Sequence, residues 1–173
     1  MNSSVLSKIQ PMAMALAIGL GLGMSNARAE ISDTDKVFLD TMAASDTAEV
    51  ELSRIVAAQA LSPQVRDFAQ TISSDHSENY QALLELCRDK KYAVTPHGDA
   101  AHGEVMLKLR SADSPEAAER AYIDAIAVDQ ANIDSLLEKM AGNSNDADIA
   151  RFAADTLTAV KKHEDSAKQL ASK

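Results

Sequence analysis

The chain has 173 residues, with 17 basic and 26 acidic side chains, a formal charge of −9 and only 3% aromatic residues. An acidic balance of that size argues against a nucleic-acid-binding protein or one that docks on anionic membrane surfaces, both of which present a basic face. Few glycines and prolines beside abundant Ala, Leu, Glu, Lys and Gln point to an all-helical protein.

Residues 1–29 read as a cleaved secretory signal peptide. Lys8 gives the positive start, Met12 to Met24 form a continuous apolar run, and Ala27-Arg28-Ala29 is a small-x-small cleavage site that leaves Glu30 as the first mature residue. The apolar run is shorter than the roughly 20 residues needed to span a bilayer. No cysteine stands at the cleavage site to take a lipid anchor. The expected product is soluble and periplasmic, with no transmembrane segment after processing. Its residues 30–173 have a formal charge of −11, because cleavage removes Lys8 and Arg28 but no acid. They suit one domain with a single core. Cys87 is the lone cysteine, so no intramolecular disulfide can form. It continues an apolar stripe and reads as an inert core residue.

The first helix is expected to open at Ser32, with Asp35 completing a capping box, and to run to about Ala60. Phe38, Met42, Glu49, Leu52 and Val56 recur on one face. Ser62-Pro63 restarts the chain as N-cap and first helical residue of a second helix that fades near Lys91. Its stripe is Val65, Ala69, Ile72, His76, Leu83 and Leu86, and the short link makes the pair an antiparallel hairpin. From Tyr92 to Ser114 the pattern breaks at Pro96, Gly98, Asp99 and Gly103, with a short helix expected around Val105–Leu109. That length suffices for a ferritin-style crossover along the bundle, although the residues leave up-down-up-down connectivity open. Ser114-Pro115 starts the third long helix, with Tyr122, Ile126, Gln130, Ile133, Leu137 and Met140 inward and Gly142 as its expected C′ stop. Asn145 with Asp148 is expected to cap the fourth, whose inner face holds Ile149, Ala153, Val160, His163, Ala167 and Leu170.

Each long helix thus carries a polar residue midway along its apolar stripe: Glu49, His76, Gln130 (beside Asp129) and His163. Burying such groups is costly, so they mark a shared hydrogen-bond network or a ligand site. Glu49 and His76 fall within about 3 Å of the same level in an antiparallel hairpin. The candidate metal ligands are Glu49, His76 and His163, with Gln130, Asp129, Tyr122 and Tyr80 in support and the tyrosine hydroxyls in reach of the histidines. Two imidazoles and a carboxylate would suit one divalent transition metal. A di-iron centre needs a Glu three residues before each histidine. Ser73 and Val160 occupy those places, so that motif is incomplete and a metal-dependent redox enzyme lacks its ligands. His97 and His102 flank Gly98-Asp99-Ala100-Ala101 in the crossover and read as solvated loop residues rather than an adventitious surface metal site, while Glu51 and Asp75 read as outward-facing charges. No phosphate loop, nucleophile elbow or Cys-x-x-Cys motif is present.

The run Ala48-Glu49-Val50-Glu51-Leu52, the pair Asp75-His76 after Phe68-Ala69, the segment Tyr122-Ile123-Asp124-Ala125, and Leu157 six residues before His163 carry a family resemblance. In order and spacing, over most of residues 33–170, they resemble the exported bacterial bundles grouped as domain of unknown function family 4142. The resemblance implies a ferritin-like four-helix bundle with a long crossover. Gln130 stands where that family typically has a histidine, and Thr158 where a proline commonly follows the leucine. The readings that remain are an exported bundle with a structural polar cluster or a weak metal or ligand site, and a periplasmic stress-response or holdase-type protein using a helical face. Either is compatible with a homo-oligomer or a periplasmic protein partner.

Overall fold

A computed structural model describes residues 31–95 and 100–172 as a four-helix bundle with a fifth, short helix in the crossover. The expected signal segment, its boundary at Glu30, and Pro96, His97, Gly98 and Asp99 lie outside the described residues. Helix α1 spans Asp33–Gln59, α2 Pro63–Lys90, α3 Ala100–Arg110, α4 Pro115–Asn143 and α5 Ala147–Ala171. Among the described residues no helix is long and apolar enough to cross a membrane.

The helices begin where side chains supply the partners that their first N–H groups lack. Ser32 and Asp35 form the reciprocal capping box of α1, with the Asp35 N–H donating to Ser32 Oγ at 3.1 Å. Ser62 and Ser114 each accept from the backbone three residues on, and Pro63 and Pro115 hold the first helical positions. Helix α2 stops at Lys91, whose left-handed φ of 56° lets the Tyr92 N–H reach the Cys87 carbonyl at 2.9 Å. Three expected boundaries shift. Gly142 is not the stop of α4, which continues through Asn143 and ends because Ser144 turns extended at ψ 133°. Helix α5 is capped by Asp146 rather than Asn145, its carboxylate accepting from the N–H groups of Asp148 and Ile149. Helix α3 also begins five residues before Val105, at Ala100.

Helix α1 packs along α2 and α4 along α5, and the two hairpins meet through α1 against α4 and α2 against α5. Direction follows from which residues share a cluster. Phe38, Leu39 and Met42 from the start of α1 pack with Leu83 and Cys87 from the end of α2, Leu137 and Met140 from the end of α4, and Ile149 and Ala153 from the start of α5. At the other end Leu52 and Val56 pack with Val65, Phe68, Ala118 and Tyr122. Helix α2 therefore finishes at the end opposite to where α4 begins, so the connection between them leads from one end of the bundle to the other. This is the ferritin-like crossover, and α3 lies in it against α4, its Leu109 buried in the second cluster. Cys87 is buried and unpaired in the first cluster, with its thiol pushed up to about 11 chiefly by burial. The two apolar clusters occupy opposite ends of one core, and the polar stripe residues lie between them.

Candidate functional site

Helical spacing places Asp46 and Glu49 on one face of α1, a turn apart, directed at His76 of α2. Asp46, Glu49 and Gln130 are fully buried and His76 is 3% exposed. His76 Nδ1 lies 2.8 Å from Asp46 Oδ1 and its Nε2 3.0 Å from Glu49 Oε2, so the ring is held between two carboxylates. Gln130 Nε2 of α4 donates to both Glu49 oxygens at 2.8 Å. Asn79, a turn after His76, donates to the other Asp46 oxygen at 2.8 Å and accepts from Thr156 Oγ1 of α5 at 2.8 Å. All four long helices thus contribute to one hydrogen-bonded layer.

The charges follow the geometry. Burial alone would depress His76, but Glu49 and Asp46 outweigh it and hold the imidazolium well above the ordinary histidine range. Burial raises Asp46 despite His76 and Asn79. Glu49 is pushed up to about 7 by burial, against the attraction of His76 and with help from Asp129. Asp129 goes the other way: burial would raise it, but hydrogen bonding with His102, the Glu49 carboxyl and Ser45 holds it well below the usual carboxylate range. The Ser45 hydroxyl donates to Asp129 Oδ2 at 2.9 Å, and His102 Nε2 lies 3.7 Å from the same oxygen.

The structure brings Glu49, His76 and Gln130 together, with Asp129 beside them. His163 stands apart from this contact. Its ring centroid is 5.5 Å from that of His76, and its Nε2 turns to Asp75 Oδ2 at 2.8 Å, while Nδ1 is buried without a partner. Burial depresses His163 against the pull of Asp75. Because both His76 nitrogens are engaged by carboxylates, Glu49, His76 and His163 do not converge as a ligand set. Among the described residues no group of three or more His, Cys, Asp or Glu is placed to hold a metal ion. The supporting tyrosines sit elsewhere: the Tyr122 hydroxyl pairs with Ser53 Oγ at 2.7 Å rather than with a histidine, and Tyr80 is half-buried against the first apolar cluster. Burial raises the Tyr122 phenol, opposed by the Ser53 bond.

Two surface readings of the sequence are corrected. Asp75 is the partner of His163 rather than a free charge. His102 is on α3, its side chain 14% exposed and directed at Asp129, rather than on a solvated loop. Glu51 is exposed as expected, 3.6 Å from Arg110. The sequence reading missed Asp46 and Asn79. Their signal was present: each lies one turn from a stripe residue, Asp46 before Glu49 and Asn79 after His76.

Beside this layer, under α3, is a cavity of about 460 Å³ bounded by α1, α3 and α4. Glu49, Asp129 and His102 line it together with Leu52, Val105, Ala125 and Ile126, and the exposed Lys108 and Asp124 also border it. Glu49 thus belongs to both the buried layer and the cavity wall.

Fold and site define a ferritin-like helical bundle with a charged layer across its core. The chain belongs to the family described as domain of unknown function DUF4142, whose model matches residues 22–170. Among solved structures it is similar to a crystal structure of a DUF305 fragment from Deinococcus radiodurans, with a TM-score of 0.72 and 11% identity over 83% of this chain and 99% of that one. That likeness is one of fold. No curated protein matches the chain.

Proposed function

We propose that the protein is an exported, periplasmic bundle that works by binding a small ligand, not by catalysing a reaction. Export is supported by the sequence of residues 1–29. Binding is supported by one observation, the placement of fully buried Glu49 on the wall of the cavity under α3. A mostly apolar cavity of this size with a few convergent polar groups is the usual form of a small-molecule site. The Asp46–His76–Glu49–Gln130 layer serves it as a fixed frame. With both ring nitrogens donating to carboxylates, His76 has no lone pair to act as a base or to bind a metal.

Two experiments test this. Fractionation and N-terminal sequencing of the expressed chain should find it in the periplasm beginning at Glu30; cytoplasmic protein with an intact N-terminus would remove export. A thermal-shift screen of a small-molecule library should find compounds that stabilise the wild type but not Ala125→Leu, which narrows the cavity. If no compound stabilises the wild type, the binding reading fails. For a divalent metal at Glu49, His76 and His163, the metal would have to displace Asp46 or Glu49 from His76. Tag-free protein should contain less than stoichiometric zinc, copper, iron or manganese. Stoichiometric metal that His76→Ala loses would put a metal centre in place of the ligand cavity.

A further inference from the structure

We infer that the cavity under α3 takes a small organic cation, an ammonium group seated between Glu49 and Asp129 with its apolar body along Leu52, Val105, Ala125 and Ile126. This rests on the cavity being the ligand site and adds the class of ligand. The apolar side chains form its walls, and its acidic groups are the fully buried Glu49 and the Asp129 carboxylate, 23% exposed.

Counting charge decides the sign of the ligand. The His76 imidazolium is matched by Asp46 on its far side, 2.8 Å away, so it offers Glu49 only the remainder of its charge. On the cavity side the basic group against the carboxylates is His102, its Nε2 3.7 Å from Asp129. Lys108 and Asp124 are both exposed and offset one another. Two carboxylates therefore face one histidine, and the deficit is filled by a proton on Glu49, whose acid is pushed up to about 7. An anion would meet repulsion here. A neutral apolar molecule would cover the carboxylates without pairing them, which costs the desolvation of a charged group. A bare metal ion needs more donors than two carboxylates and makes no use of the apolar walls. An alkylammonium fits both features. Its three N–H donors replace the shared proton, and its hydrocarbon body displaces water from the walls.

The test is isothermal titration calorimetry on the mature protein, with chelator present, using n-hexylamine, benzylamine, hexanoate and 1-hexanol as probes. The two amines should bind with one-to-one stoichiometry and the other two at least roughly tenfold more weakly. Asp129→Asn should weaken hexylamine by about ten- to a hundredfold, and Ala125→Leu should abolish its binding. Asp129 is partly exposed and an asparagine keeps the Ser45 contact, so this variant remains informative if Glu49→Gln fails to fold. Amine binding that Asp129→Asn leaves unchanged would overturn the inference. So would hexanoate or hexanol binding as tightly as the amines. In the latter case, loss of binding in Ala125→Leu would still leave the ligand cavity standing. If none of the four probes binds at millimolar concentration, the cation inference falls and the library screen decides the cavity separately.

Discussion

His76 sits between two buried carboxylates, and removing it has a different consequence from removing either acid. His76→Ala would leave Asp46 and Glu49 facing one another with no cation between them, which in comparable buried pairs costs about 3–5 kcal/mol. Urea denaturation should show a loss of that order, and a loss under 1 kcal/mol would mean that the layer is hydrated or loosely formed. Glu49 makes the layer sensitive to pH. Its folded acid lies at about 7 against an ordinary 4.5, so between those values the native state holds a proton that the unfolded chain has released. Stability from this group therefore falls as pH rises through that window, by at most about 3 kcal/mol. His76, raised by Glu49 and Asp46, acts in the same direction, since its contribution is complete below the ordinary histidine range and is lost as pH climbs toward its raised folded value. Asp129, held low, contributes above the ordinary carboxylate range and is lost only in acid. The wild type's stability relative to Glu49→Gln should thus decrease steadily from pH 5 to pH 8. Parallel stability curves for the two proteins would show that Glu49 does not titrate in that range.

At the scale of the helices, Asp146 links two ends of the bundle. It caps α5 through the Asp148 and Ile149 N–H groups and receives Lys90 from the last turn of α2, whose Nζ also reaches Asp148 Oδ2 at 2.8 Å. Lys90 is almost wholly covered, its side chain 4% exposed, so its ammonium depends on these partners. Asp146→Ala removes a cap and an ion-pair partner together and should cost about 2–4 kcal/mol. Asp146→Asn keeps the cap and should cost about half as much. An Asp146→Asn protein as stable as the wild type in denaturant unfolding would show that the ion pair contributes nothing, and equal losses for the two would show that the cap contributes nothing. Asp146 also shows where the sequence was hard to read. Asn145, Asp146 and Asp148 are all able to cap, and spacing alone does not say which one faces free N–H groups. Ser62-Pro63 and Ser114-Pro115 left no such choice, because a proline after a serine admits one register, and those starts were legible to the residue. Gly142 misled because a glycine near a helix end usually marks the stop, whereas here Ser144 ends the helix by joining Asp35 Oδ1 at 2.7 Å, a partner more than a hundred positions away. Glu49 and His76 were found because each interrupts an apolar stripe. Asp46 was missed because its burial is set by a histidine on another helix, and Asp75 because its partner lies on α5.

Across the whole molecule, the core is two apolar clusters with a charged layer between them, and every long helix passes through both. Sliding one helix by a turn would set Asp46, Glu49 or His76 against leucines and isoleucines instead of one another. Such a slip costs several kcal/mol per unpaired charge, whereas apolar side chains would tolerate it far better. The layer thus separates register from stability, and this can be measured. The fourfold variant Asp46→Leu, Glu49→Met, His76→Leu and Gln130→Met removes all four main members together and leaves no charge among them unpaired. It should be as stable as the wild type or more so by about 1–4 kcal/mol, although His76→Ala alone is strongly destabilised. Its amide spectrum should nevertheless broaden or double, because helices with a continuous apolar seam can settle in more than one register. A fourfold variant with one sharp set of resonances would mean that packing at the two ends already fixes register. The charged layer would then have no structural task, and its cost would be explained by the cavity that Glu49 faces. A fourfold variant less stable than His76→Ala would instead show that the network itself holds the bundle together.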